Sequence, residues 1–350
     1  MKYIKEIVFS ILLLFLTLGM FAQSPRFSFY SDSIVLETSK NNNFEVYKGN
    51  YTSPEGVINK KSIIGSFSYN KKHTTFKPLL PFQKGNEYTV VYKNEVYPFI
   101  IAIDDNYDYL QVEVLYPNTN VLPANFLKWY VQFSKPVNPS KIYDHIYLIH
   151  ASDSTKVDRA LLPLETPLLS DDGRLLTLWI EPGRQKRDLG PNRELGEVLI
   201  LDKSYALVID KELKDTQGIA MQEKYMHSFK VENFDRIKPS ITSWKIDLPK
   251  ANTRETLRIN FQEYIDYGSL KGALEIVNES GTIIDGDFTI NVNQNFALFK
   301  PTQDWDKETY IIKCDSIIED LAGNNLERLF DRDITVEESD AVLEVTFVLK

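Results

Sequence analysis

The sequence predicts an all-β chain of three tandem sandwich domains behind an export leader, and three observations carry that prediction. Met1 to Gln23 reads MKYIKEIVFSILLLFLTLGMFAQ. The stretch FKPLLPFQKGNEYTVVY, Phe76 to Tyr92, returns as FKPTQDWDKETYII, Phe299 to Ile312. Between and around these copies the chain is written in short runs that alternate apolar and polar residues, separated by clusters of Pro, Gly, Asn and Asp. Period-two runs bounded by such clusters are antiparallel strands joined by short loops.

The leader comes first. Two lysines precede an uncharged, largely apolar run from Ile7 to Phe21, and small Ala22 is followed by polar residues. That is the three-part layout of a secretory signal peptide, with cleavage expected after Ala22, and the run is short of the roughly 20 apolar residues a membrane span needs. No later segment is apolar enough to cross a bilayer, so the mature chain is expected to have no transmembrane segment. The whole chain is 43% hydrophobic and 25% charged over 350 residues, enough apolar material for two or three cores and too much for disorder. Its net charge of −9 becomes −10 once Lys2, Lys5 and Glu6, which together carry +1, are removed. So acidic a chain has no general attraction to nucleic acid or anionic lipid. The single cysteine, Cys314 in IIKCDSII, excludes an intramolecular disulfide and reads as a small buried hydrophobe of a strand.

In each copy of the repeat an alternating run leads into Phe-Lys-Pro, a turn carries Phe82 or Trp305, and a second run opens on Tyr88 or Tyr310. The proline closes its strand where the missing N–H costs no ladder bond. The tyrosine sits where a tyrosine corner ties a loop to the backbone. A third, stretched copy runs from Arg174 to Asp210, with Pro182 and Tyr205 in the matching places and about a dozen extra residues between. Two copies continue into a turn, Asp215-Thr216-Gln217-Gly218 and Asp320-Leu321-Ala322-Gly323-Asn324, whose Gly and Asn supply positive φ. The first copy has a plain hairpin at Lys93-Asn94-Glu95 instead. Ahead of the later copies stand LKWYVQFSKPV and TLRINFQEYID, alternating strands that bury one face. A period of about 105 to 120 residues is that of a sandwich domain and too long for a solenoid. Where the alternation breaks, the domains are expected to divide: 1–22 leader, 23–103, 104–232 and 233–350. The last residues, VLEVTFVLK, read as a final core strand.

The pattern F-S-K-P-V, then F-K-P or I-E-P, a Tyr-initiated strand and D-L-A-G-N-N resembles the bacterial Ig-like domain of S-layer and other surface proteins. The third unit carries it best, through Phe299, Pro301, Trp305, Tyr310 and Asp320 to Asn324, and the first lacks the turn and reads as a degenerate copy. The middle unit also looks like part of a group of secreted bacterial proteins that share this Ig-like pair. The resemblance implies an Ig-like fold and an exported location, in the periplasm, at the cell surface or outside, and it brings no activity with it.

His145 and His150 are five apart on a predicted strand and face opposite ways, which does not make a zinc pair. The elbow G-x-S-x-G and the phosphate loops G-x-x-x-x-G-K-[ST] and G-x-G-x-x-G are absent. Asp104, Asp105, Asp108 and Asp235 lie at the expected boundaries without the spacing of a twelve-residue calcium loop, and read as solvated turn acids. No cofactor, no metal and no catalytic residue is therefore predicted.

One segment departs from bare scaffolding. The insert PGRQKRDLGPNREL puts Arg184, Lys186, Arg187 and Arg193 into one loop of an acidic protein. Arginine forks suit carboxylates and phosphates, so the loop is a candidate for an acidic glycan, peptide or neighbouring chain; the competing role is a brace that folds back on acids of its own or the adjacent domain and fixes the angle between sandwiches. The predicted protein is an exported, non-enzymatic structural or adhesive module whose partner is an envelope or extracellular protein or glycan. The alternative is a glycan- or peptide-binding accessory subunit that works through this loop.

Overall fold

The computed structural model describes residues 25–38, 41–185, 190–331 and 342–350, so the expected leader and its cleavage site lie outside the described residues. Three hydrophobic cores follow one another along the chain, and two sheets enclose each. Around the first core β1 (Phe27–Phe29), β2 (Ile34–Glu37), β4 (Gly65–Tyr69) and β5 (His73–Pro78) make one sheet in the order β1-β2-β5-β4. Its partner sheet is β3 (Glu45–Lys48), β6 (Glu87–Tyr92) and β7 (Glu95–Ile100).

Around the second core the sheets are β12-β13-β10-β8 and β11-β14-β15-β9. Their strands are β8 (Val112–Tyr116), β9 (Val121–Pro123), β10 (Lys128–Phe133), β11 (Ile146–His150), β12 (Leu168–Leu169), β13 (Leu175–Trp179), β14 (Ser204–Ile209) and β15 (Tyr225–Glu232). The edge strand β9 runs parallel to β15, while the other pairs are antiparallel. Around the third core lie β16 (Lys245–Asp247), β17 (Leu257–Asn260), β19 (Gly286–Ile290) and β20 (Phe296–Pro301), facing β18 (Leu274–Asn278), β21 (Thr309–Cys314) and β22 (Glu344–Val348). The final strand is the one the sequence predicts, with Phe347 and Leu349 in the core. Cys314 is buried in β21, and burial pushes its thiol up to about 12.

The repeated Phe-Lys-Pro has a partner on the neighbouring strand. Gly65 faces Pro78 and Phe67 faces Phe76, just as Gly286 faces Pro301 and Phe288 faces Phe299. A Cβ on either glycine would lie 2.5 Å from a carbonyl oxygen and 2.5 Å from the phenylalanine ring, so the ring lies across a strand that only glycine lets approach. All three expected tyrosine corners close. The Tyr88, Tyr205 and Tyr310 hydroxyls accept backbone N–H groups from Gln83 at 2.8 Å, Ile200 at 3.2 Å and Asp306 at 2.8 Å.

The chain packs as two compact units, one ending at Tyr107 and the other beginning at Asp108. The second and third cores therefore share a unit. The boundary expected near residue 232 is not a break in packing, because Leu321 of the Asp320 turn belongs to the second core. Among the described residues no helix is long and apolar enough to cross a membrane.

Candidate functional site

The basic insert folds locally. Two short helices, α1 (Pro182–Gln185) and α2 (Gly190–Leu195), carry it, and Lys186 and Arg187 lie outside the described residues. Arg184 is buried at 5% exposure. Its guanidinium donates to the carbonyls of Asp158 at 2.6 Å, Gly196 at 2.8 Å, Glu197 at 2.9 Å and Leu195 at 3.1 Å. All of these acceptors belong to the second sandwich. The fork thus closes the insert on itself, and burial holds the guanidinium below its ordinary range without freeing it for a ligand. Arg193 is exposed on α2 and makes no such cluster. The adjacent Gln185 is buried and donates to the Phe126 carbonyl, tying α1 to the start of β10.

That start of β10 is where the structure concentrates its charge, in a cluster that sequence reasoning missed. Lys128 is 2.9 Å from Glu319 and 3.5 Å from Asp266, with side-chain exposures of 11%, 29% and 3% in that order. Its ammonium also lies over the Trp179 ring, 4.7 Å from the centroid. Asp266 caps α3 (Tyr267–Leu270), accepting the Ser269 N–H at 2.8 Å and the Tyr130 hydroxyl at 2.9 Å on the same oxygen. Burial pushes the Asp266 carboxyl above the usual carboxylate range, against the pull of Lys128 and these donors. Burial beside Asp266 likewise raises the Tyr130 phenol. Tyr267 stacks on Tyr116 at 4.0 Å, so aromatic faces flank the ionic centre.

Beside this cluster the Asp320 turn grips the second sandwich. The Asp320 carboxylate accepts Ala322 N–H at 2.7 Å and Asn324 N–H at 3.0 Å, which shapes a tight loop. Gly323 sits at φ +79°, and a Cβ there would lie 2.3 Å from the Leu127 side chain. Leu127 N–H donates to the Leu321 carbonyl at 3.1 Å. Asn125 and Asn324 both donate to the Asp235 carbonyl, at 2.6 and 3.2 Å. Burial lifts Asp320 to about 8 against its donors.

This is an arrangement for holding two sandwiches at one angle. The second sandwich's own turn shows the difference, since Asp215 accepts Gln217 and Ile219 N–H in the same way but carries exposed Thr216 where the third has Leu321. Among the histidines, His150 lies in β11 and His227 in β15, where its Nε2 bonds the Thr119 carbonyl. Among the described residues no three of His, Cys, Asp and Glu are placed to hold a metal ion.

Residues 235–335 match the model of the bacterial Ig-like domain family. No curated protein matches the chain. Among solved structures it resembles surface layer protein SbsC, domains 1–6, at 17% identity and a TM-score of 0.26, over 59% of this chain and 24% of that one. It also resembles the I9–I11 tandem of titin, at 10% identity and TM-score 0.20 over 85% and 97%, and Escherichia coli alpha-2-macroglobulin, at 14% and 0.23 over 59% and 66%. The chain spans only about a quarter of that SbsC structure, and superpositions this loose carry no argument about function. Residues 235–335 form a bacterial Ig-like domain, and the sheet pairs before it, each closed by the same tyrosine corner, make the chain a tandem of Ig-like domains.

Proposed function

We propose that the protein is an exported, non-catalytic structural or adhesive module of the cell envelope, built as sandwiches at 23–103, 104–232 and 233–350. One observation carries this reading: the charged groups buried at and beside the contact between the sandwiches are spent on architecture. Lys128, Asp266, Tyr130 and Glu319 satisfy one another across the contact between the second and third sandwiches. Arg184 satisfies carbonyls of its own sandwich. A catalytic centre needs such groups aimed at open space, with a place for a reacting atom. A spacer needs two bodies fixed against bending, which is what a hydrogen-bonded ionic centre flanked by a buried leucine provides.

Envelope placement rests on the leader and on the Ig-like fold. The test is fractionation of cells that make the full chain, with sequencing of its new N-terminus and protease treatment of intact cells. Recovery outside the cytoplasm with a start at Gln23 is expected. Retention in the cytosol with Met1 in place overturns the exported role.

A further inference from the structure

Between the second and third sandwiches, within the unit that begins at Asp108, lies a cleft of about 410 Å³. Its walls include Leu122 and Pro123 of the edge strand β9, Phe234 of the connecting segment, and Tyr264 and Leu321 of the third sandwich. Among the described residues three carboxylates share the lining, Glu232, Asp235 and Glu263, and none that lines it is basic. The cation that this part of the molecule does bury, Lys128, is held by Asp266 and Glu319. Among the described residues no ion pair reaches Glu232, Asp235 or Glu263. Arg236, next along the chain, lies over the Phe234 ring at 4.7 Å. Asp235 turns its carboxylate to the Ile237 N–H at 3.0 Å. Glu263 is half-buried, with only a backbone bond at Ser240 to favour its charge and Asp235 to oppose it.

We infer that this cleft is a docking site for an extended polypeptide segment of a partner protein, one that sets a Lys or Arg side chain beside an apolar one. The apolar walls exclude water from the contact, and the unpaired acids select the charge of the occupant. Tyr264, 39% exposed, offers a ring face to a cation or an aliphatic side chain. Among the described residues the strand β9 has a neighbour on one side only, so an extended segment can lie along its free edge while alternate side chains enter the cleft. The site gives the proposed envelope module a partner chemistry, but it rests on the cleft and not on the ionic lock.

The test uses the full chain and a fluorescein-labelled Ser-Lys-Ser-Val-Ser-amide peptide, whose Lys and Val share one face when extended, beside its Glu-for-Lys counterpart, read by anisotropy. The Lys peptide is expected to bind at least tenfold more tightly. The double variant Glu232→Gln, Glu263→Gln is expected to lose about tenfold of that affinity with an unchanged melting temperature, and Tyr264→Ala several-fold. Burial pushes Glu263 up to about 7, and a bound cation favours its ionised form, so affinity rises from pH 6 to pH 8. Glu263→Gln flattens that rise. Equal binding of the two peptides, no binding at millimolar concentration, or an unaltered double variant overturns the proposal. Binding of a glucosamine tetramer in place of the peptide also overturns it, since the occupant is then an amino sugar. Each of these results leaves the proposed envelope role standing, because that role is read from fractionation and from unfolding.

Discussion

Arg184 and Lys128 show how differently two buried cations are used. Among the described residues Arg184 donates only to carbonyls, and its planar fork reaches several at once, a task that a lysine's compact ammonium does poorly. Arg184→Ala leaves those carbonyls without donors in a closed loop and is expected to cost about 3 kcal/mol, while Arg184→Lys loses about half of that; chemical denaturation of each variant measures it. Lys128 faces carboxylates, and its loss is expected to depend on pH. The folded-state Asp266 carboxyl already stands above its unfolded value. Stability from a raised carboxyl is present below the unfolded value and is lost as pH rises through the folded one. Lys128→Met removes the group that opposes this rise, so the variant is expected to lose about 3–5 kcal/mol near pH 8 and less than half as much at pH 5. Equal losses at the two pH values, measured by urea melts, would contradict the assignment of Lys128 as the counter-ion of Asp266.

At the scale of strands and turns, the sequence was most legible where local chemistry decides the geometry. Tyr88, Tyr205 and Tyr310 each open a strand and reach a backbone N–H only four or five residues back. Lys93 and Asn94 both take positive φ in the expected hairpin. The partner of Phe-Lys-Pro was not read, although Gly65-x-Phe67 and Gly286-x-Phe288 repeat it in plain letters. Pairing between strands is a long-range fact, and a glycine opposite a ring has no signal until the register is known. Gly286→Ala is expected to destabilise the third sandwich by about 2 kcal/mol, since the new methyl meets a carbonyl and a ring that packing holds in place. Tyr310→Phe is expected to cost about 1 kcal/mol by orphaning the Asp306 N–H, and thermal melts of both variants check these values.

For the molecule as a whole, the unread part was the junction. Lys128 and Asp266 sit in separate repeats, and a single sequence does not say which charges of two domains meet. The insert drew attention because four cations lie close together in sequence. The lock drew none, because its members are scattered from Lys128 to Glu319. Leu321 carried a faint signal, a hydrophobic residue in a turn where the second repeat has Thr216. Its place in the second core makes the unfolding of one sandwich expose apolar surface of the other, so Leu321→Ala is expected to cost about 2–4 kcal/mol and to uncouple the two.

The most direct test of that coupling is hydrogen exchange read by mass spectrometry along a temperature ramp, which follows each core separately. Peptides from β10 and β14 of the second core and from β17 and β21 of the third are expected to lose protection at one temperature. Leu321→Ala is expected to split that loss into two steps several degrees apart. If the two cores of the unaltered protein already lose protection at different temperatures, the sandwiches are independent beads and the account of a rigid, locked module is wrong.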